Sequence, residues 1–459
     1  MSFKIENQTL ISLNPASDAE VGRLPMANKE AVLAAVKNAR AAGLEWSLLS
    51  FEQRAEALSL GLRQIVERAE ELGHLISAEM GKPLAQAIGE ASYSAQHGLD
   101  DLIAEAREAV TPKVLSEDKL TTTLNYVPRG VVAVITPWNF PVNLSLNALV
   151  PALLTGNSVV YKPSEFTALT GDLLARLLGS GLPDGVLTVV HGDGAVGKAL
   201  VEAEIDMVAF VGSQATGQRI LETQARQLNP AVLEMGGKDA MLVLADAELE
   251  AAARYAVSGS LRNSGQVCVS VERIYVEQPI AAAFESRVRE LMAEFRVGDP
   301  LDERTQMGPL VSVGQRQKVI AQLAEAKAKG ATIEGGEIPE GPGSFLTPAL
   351  ATNVTDEMQL MRDETFGPVI AIQRVASAAE ALAKANALDY GLGGTVWSQD
   401  LVKARTVAAR LEAGMIGINR GLGGASGSPF VGNKKSTLGF FGGVDGVRQF
   451  TQIRSISEG

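Results

Sequence analysis

Short, continuously apolar runs separated by helix-length stretches dominate the chain beyond residue 130. VVAVI (131–135), VVY (159–161), VLTVV (186–190), MVAFV (207–211) and AVLEM (231–235) have the pattern of strands buried on both faces. The spacing between them leaves room for a helix each time, which predicts right-handed βαβ units and a parallel sheet covered on both sides. A second series, MLVL (241–244), RIYV (273–276), PVIAI (368–372) and MIGI (415–418), repeats the alternation. Two α/β domains are therefore expected. The first hundred residues read mostly as helix, with Leu58, Leu62, Ile65, Ala69, Leu72 and Ile76 forming one apolar stripe. The Thr-rich stretch from Thr121 to Tyr126 reads as an isolated strand before the Pro128-Arg129-Gly130 break. The Gly-rich tail after Asn419 has no strand that the pattern can place.

Composition narrows the function. A chain of 459 residues, 46% hydrophobic and 20% charged, is globular and too long for one small core. Its net charge is −12 with Lys and Arg scattered, so no basic patch invites nucleic acid. MSFKIENQTL lacks the basic start and apolar core of a secretion signal. No run approaches the roughly 18 apolar residues of a membrane span. These features point to a cytoplasmic protein without a membrane partner. The three histidines, His74, His97 and His191, have no metal-ligand spacing, so no metal is expected.

Two glycine turns could receive a dinucleotide. HGDGAVGKAL follows VLTVV, and its Gly192, Gly194 and Gly197 spell GxGxxG. FVGSQATGQRI follows MVAFV, with Gly212, Ser213 and Gly217 opening the next helix. The acidic residue expected about 20 positions beyond a Rossmann turn has no convincing candidate, since Asp206 arrives too early. Composition and spacing leave the seat open between the two. One residue remains unexplained: Cys268 is the only cysteine, and it lies in LRNSGQVCVS. A lone cysteine is ordinarily a small buried hydrophobe.

Six segments resemble the aldehyde dehydrogenase superfamily, in order and over essentially the whole chain: TPWNFP (136–141), YKPSE (161–165), VGSQATG (211–217), LEMGGKD (233–239), GQVC (265–268) and ETFGP (364–368). The resemblance implies an α/β fold of two doubly wound domains with a small β extension for oligomerisation. It divides the chain into a cofactor domain (1–107 and 129–236), a catalytic domain (237–424) and oligomerisation segments (108–128 and 425–459). It implies NAD as cofactor, held by Thr136, Pro137 and Trp138, by Lys162, Ser164 and Glu165 at the adenosine ribose, and by Gly212, Ser213 and Gly217 at the phosphates. Glu364 would bind the nicotinamide ribose and Phe366 would pack by the nicotinamide. The resemblance thus makes GDGAVG the decoy. A 2′-phosphate would meet the charge of Glu165, so NAD is favoured, with NADP tolerated through Lys162.

By the same resemblance Cys268 is the nucleophile. Oxidising an aldehyde by hydride removal needs a tetrahedral carbon bearing an oxyanion, and a thiolate can form it and leave a labile thioester. An ordinary thiol has a pKa of about 8.5, so local lowering or a base is needed. Asn139 matches the oxyanion donor, Glu234 matches the base that activates water, and Lys162 belongs to the same catalytic set. The apolar neighbours of Glu234, Leu233 and Met235, predict a pKa raised by burial. Its presence favours hydrolysis over transfer to coenzyme A.

The substrate positions point to a polar aldehyde. Asn143 and Asn147 lie one helical turn apart, Arg262 lies six residues before Cys268, and Arg420 lies in GINRG. Arg262 resembles an arginine of succinic semialdehyde dehydrogenases that grips a distal carboxylate. Those enzymes commonly have a further arginine where Asn147 stands, and SGQVCVSVERIYV is also similar to enzymes for small hydroxyaldehydes such as lactaldehyde. PFVGNKKST (429–437) departs from the family pattern at Val431 and Thr437. A homodimer or homotetramer is implied. A non-catalytic module keeping the fold, or a cysteine hydrolase, are the competing readings; the retention of Cys268, Glu234, Asn139 and Lys162 together, and the lack of a matching histidine, weigh against them.

Overall fold

The computed structural model describes residues 2–459 and contains two large, mainly parallel sheets flanked by helices. In the first, the strands run in the spatial order Ala231–Met235, Met207–Gly212, Val131–Ile135, Ser158–Lys162, Leu187–Val189, all parallel. Val131 to Val134 are fully buried, as a strand covered on both faces requires. The chain proceeds outward from Val131–Ile135 through two strands, then returns to pair Met207–Gly212 on the other side. That reversal is a topological switch point, where a crevice opens beyond the carboxyl ends of the strands.

The second sheet has the order Thr332–Gly335, Ala349–Thr352, Val369–Val375, Val271–Glu277, Asp239–Val243, Gly393–Trp397, Met415–Ile418. Only its edge strand Thr332–Gly335 runs antiparallel. Thr332–Gly335, Ala349–Thr352 and Gly393–Trp397 lie outside the apolar runs. ALAT is too short to stand out, and two glycines open GGTVW. The expected α/β architecture is present, with a small antiparallel extension.

That extension corrects the idea of an isolated strand. Leu120–Pro128 sits between Lys113–Glu117 and Thr451–Glu458, both antiparallel to it. Their largely exposed, mixed residues show no buried face, so the apolar pattern could not mark them. Within the span 425–459, Thr437–Leu438 returns to pair antiparallel with Ala231–Met235 of the first sheet. The first 25 residues also differ from a helical reading. Phe3–Glu6, Thr9–Leu13 and Glu20–Pro25 form an antiparallel sheet, its first hairpin closed by Asn7 and Gln8 with positive φ. The apolar stripe is buried as expected, but it spans two helices, Phe51–Glu67 and Ala69–Met80.

Among the described residues no helix is long and apolar enough to cross a membrane, and no group of three or more His, Cys, Asp or Glu side chains is placed to hold a metal ion.

Candidate active site

The crevice at the switch point is a cavity of about 680 Å³. Thr136, Pro137 and Trp138 leave the first strand beside it, Lys162, Ser164 and Glu165 the next, and Gly212 and Ser213 the returning one. Lys162 is buried; its Nζ donates to the Pro163 carbonyl at 3.1 Å and lies 3.5 Å from Glu165 Oε2. Burial pulls the Lys162 pKa down, opposed by Glu165.

Both glycine turns border the crevice, since Gly194 and Gly197 line it along with Ser213. Their caps separate them. Asp193 accepts from the Ala195 N–H at 2.9 Å and so places a carboxylate at the start of the helix Gly194–Glu202. Ser213 caps the helix Gln214–Gln227 with a neutral hydroxyl that accepts from the Thr216 N–H at 3.4 Å. A phosphate is repelled at the first helix start and welcomed at the second. Gly217 does not reach the cavity; a side chain there would collide with Met235, so its role is close packing of the helix on the strand. Asp206 accepts from the Val131 N–H at 2.7 Å and pairs with Arg40, away from any ribose. Lys198 and Arg219, each within one of the two glycine-turn segments, also line the crevice.

A smaller cavity of about 210 Å³ adjoins the first through Pro137, Trp138, Gly212 and Ser213, and it holds Asn139, Glu234, Cys268, Glu364 and Phe366. Residues from both sheets therefore converge. The glycines of LEMGGKD allow it. A Cβ on Gly236 would overlap the Glu364 carboxyl, and one on Gly237 would overlap the Cys268 carbonyl. The Glu364 loop is held from below by a buried ion pair between Lys238 and Glu272. Glu272 accepts from the Thr365 and Phe366 N–H groups at 2.8 and 2.9 Å, and Lys238 donates to Thr365 Oγ1 at 3.0 Å. Phe366, at φ 55°, then stands edge-on to Trp138 with ring centroids 5.5 Å apart.

Glu234 is buried and neither carboxyl oxygen has a hydrogen-bond partner of ordinary geometry. Burial raises its pKa to about 8, with the Cys268 thiol opposing and the charges of Glu364 and Asp239 adding. The Cys268 thiol is pushed well above its ordinary value, first by burial, then by Glu234, Asp239 and Glu364. A base that takes the thiol proton would supply the nucleophile. Asn139 donates from Nδ2 to the Gln266 carbonyl at 3.1 Å, which leaves its second N–H free.

The substrate positions are more scattered. Arg262 is exposed and lines neither cavity; its guanidinium lies 5.3 Å from the Phe140 ring, and it has no ion-pair partner among the described residues. Asn143 donates to Ser94 Oγ at 2.9 Å and Asn147 lies 3.4 Å from Asn143 Oδ1. Neither lines the two cavities, where Leu144 stands instead. Arg420 is exposed and also outside both. Gln315 and Lys318 line the smaller cavity unannounced by sequence. Gln315 could have been traced only through its bonds to the Thr365 and Phe366 carbonyls, at 3.0 and 2.8 Å.

The model of the aldehyde dehydrogenase family matches residues 4–456. The chain belongs to the aldehyde dehydrogenase family. It is an oxidoreductase acting on the aldehyde group, and the resemblance carried by the six motifs is borne out. A betaine aldehyde dehydrogenase of Cereibacter sphaeroides is 37% identical over 450 residues, 97% of this chain and 92% of the relative. A solved NAD-dependent aldehyde dehydrogenase from Sinorhizobium meliloti superposes with TM-score 0.95 at 36% identity, covering 98% of this chain and 91% of its own. The lactaldehyde dehydrogenase of Escherichia coli gives TM-score 0.95 at 34% identity, covering 99% and 96%. The relatives thus carry names for different aldehydes.

Proposed function

We propose that this aldehyde dehydrogenase oxidises a polar aldehyde, succinic semialdehyde first among the candidates, to the carboxylic acid with NAD, through Cys268. The convergence of Cys268, Glu234 and Asn139 on one cavity that opens into the dinucleotide crevice carries this reading. Thr136, Pro137, Trp138, Lys162, Ser164, Glu165, Gly212, Ser213, Glu364 and Phe366 would hold the cofactor, and a partnerless oxygen on Glu364 is available to a ribose hydroxyl. Glu165, beside Lys162, favours a free ribose diol over a 2′-phosphate; NADP remains usable through the lysine charge. A dinucleotide bound there supplies the hydride acceptor.

The chain's own groups do the rest. The Cys268 sulfur adds to the carbonyl carbon while the thiol proton passes to Glu234. The Asn139 amide and the Cys268 N–H stabilise the oxyanion. Once the hydride has left, the carbon is a thioester on Cys268. Glu234, having released the thiol proton to solvent, takes a proton from water; the hydroxide adds to the thioester carbon, the C–S bond breaks, and the proton on Glu234 returns to the departing thiolate to give acid and thiol. The free second N–H of Asn139 and the unpartnered Glu234 oxygens support these roles.

Arg262 supports the substrate class. An unpaired guanidinium beside Phe140 fits a distal carboxylate. A quaternary ammonium would be repelled there. A second reading, a small hydroxyaldehyde such as lactaldehyde, is supported by the likeness to the lactaldehyde dehydrogenase of Escherichia coli, and not by Asn143 and Asn147, which line neither cavity. Arg420, which lines neither cavity, supports neither. The test is NAD reduction with succinic semialdehyde, lactaldehyde, betaine aldehyde and butyraldehyde, in the native enzyme and in Arg262→Ala. The semialdehyde should lead by roughly tenfold or more and lose that lead in the variant. Equal rates in both proteins would sink the carboxylate reading.

The antiparallel extension supports assembly as a homodimer or homotetramer. The compartment proposed is the cytoplasm.

A further inference from the structure

The loop that carries Asn139 and the loop that carries Cys268 come from different sheets, yet their spacing decides whether an oxyanion can be met. Two side-chain amides join them, those of Asn139 and Asn263. Asn263 is buried, and its Nδ2 donates to the Asn139 carbonyl at 3.1 Å and to the Gln266 carbonyl at 3.2 Å. The same Gln266 carbonyl accepts from the Asn139 side-chain amide at 3.1 Å. That bond decides which Asn139 N–H stays free. Gln266 in turn is bound to the Asn263 carbonyl through its backbone N–H and its Nε2, both at 3.1 Å. Lys82, buried and paired with Glu90, donates to the Asn139 carbonyl from the other side at 2.8 Å.

The backbone at Asn263 is held at a cost. Asn263 and Ser264 both have left-handed conformations, φ 52° and 59°, and Asn263 Oδ1 is buried without a partner. Strain and an orphaned acceptor side by side mark a residue retained for where its donors point. The two N–H groups of one amide serve one carbonyl on each loop.

We propose that Asn263 is a positioning residue that fixes the Asn139 oxyanion donor against Cys268. This rests on the roles given to Asn139 and Cys268 under Proposed function. The amide touches no reacting atom; it acts through the Asn139 carbonyl and the Gln266 carbonyl, and a shift of either loop turns the free Asn139 N–H away from the oxyanion.

Acylation by p-nitrophenyl acetate tests this without cofactor. The Cys268 sulfur forms a bond to the ester carbonyl, the bond to nitrophenolate breaks, and the same oxyanion forms on the way. The burst rate of nitrophenolate and its dependence on ester concentration are measured for the native enzyme, Asn263→Gly, Asn139→Ala and the double variant, with Cys268→Ala as blank. Glycine keeps the left-handed backbone and removes the amide. Asn263→Gly should slow the burst roughly 10- to 100-fold while half-saturation moves less than about threefold. In the Asn139→Ala background the same change should slow it less than about threefold further. Equal losses in both backgrounds, an unchanged burst in Asn263→Gly, or a change confined to half-saturation overturns the positioning role alone. An unchanged burst in Asn139→Ala, or a burst surviving in Cys268→Ala, overturns the reading beneath it as well. Should Asn263→Gly fail to fold by circular dichroism and thermal unfolding, Asn263→Asp takes its place, and failure of both makes Asn263 structural and ends the proposal.

Discussion

Glu234 must be neutral enough to be buried and basic enough to take a proton from water. Burial raises its pKa to about 8, so the basic form gains ground as pH rises toward and past that value. Cys268 shares the need, because its raised thiol loses a proton only to a neighbour or at high pH. In Glu234→Gln both proton transfers lose their base, so the thioester should form more slowly and, once formed, wait. Stopped-flow NADH formation is expected to show a slowed first phase of at most one equivalent per Cys268, followed by turnover slower by roughly 100-fold. Unimpaired multiple turnover would remove Glu234 from the hydrolytic step. The same residue makes a stability prediction with a definite sign. A carboxyl raised in the folded chain stabilises it below the ordinary value of 4.5, and that contribution is lost as pH rises through about 8. Glu234→Gln should therefore have the higher Tm near pH 9 and no advantage near pH 4. Identical Tm differences at both pH values would mean that Glu234 bears no such penalty.

At the scale of elements, what organises the site is the buried pair Lys238–Glu272 beneath the ETFGP loop. Removing one partner leaves the other charge buried, which costs about 3–5 kcal/mol. Glu272→Gln should lower stability by that order in a urea titration, and weaken NAD binding by freeing the turn that carries Glu364 and Phe366. If affinity by titration calorimetry is unchanged, the pair supports the fold and not the loop. Lys238 sits inside a quoted motif, but Glu272 lies on a strand, where alternation marks only another buried position. Their partnership is a long-range contact that one-dimensional pattern cannot register. The same limit explains the rest of the site. Asn139, Glu234 and Cys268 were legible through the resemblance of TPWNFP, LEMGGKD and GQVC to family segments, since each side chain lies within a short contiguous motif. Lys82 and Asn263 were not, since their significance is a hydrogen bond to a backbone carbonyl more than 50 residues away. Strands of consecutive Val and Ile were legible by period; GGTVW and KVLSE were hidden by glycine and by exposure.

For the whole molecule the informative feature is the three-stranded extension. Both outer strands, Lys113–Glu117 and Thr451–Glu458, present unpaired edges, and Val114, Leu115, Leu120, Ile453 and Ile456 are exposed on or beside them. An open edge with apolar side chains is a template for another chain, and soluble proteins tend to cover or charge it. A second copy of the chain is the occupant proposed for it. Exposed positions tolerate substitution with little change in monomer stability, usually within about 0.5 kcal/mol. Ile453→Lys combined with Ile456→Lys should therefore leave the circular dichroism of the fold intact and shift sedimentation toward a smaller species. Because Cys268, Glu234 and Asn139 all come from one chain, each dissociated protomer should still acylate with p-nitrophenyl acetate. A variant that sediments as the native protein does would move the assembly surface elsewhere. One that dissociates and loses acylation would tie the site to the interface, through the strand Leu120–Pro128 and the Arg129 that follows it, whose Nε donates to the Gln449 carbonyl at 2.8 Å just before the first sheet begins.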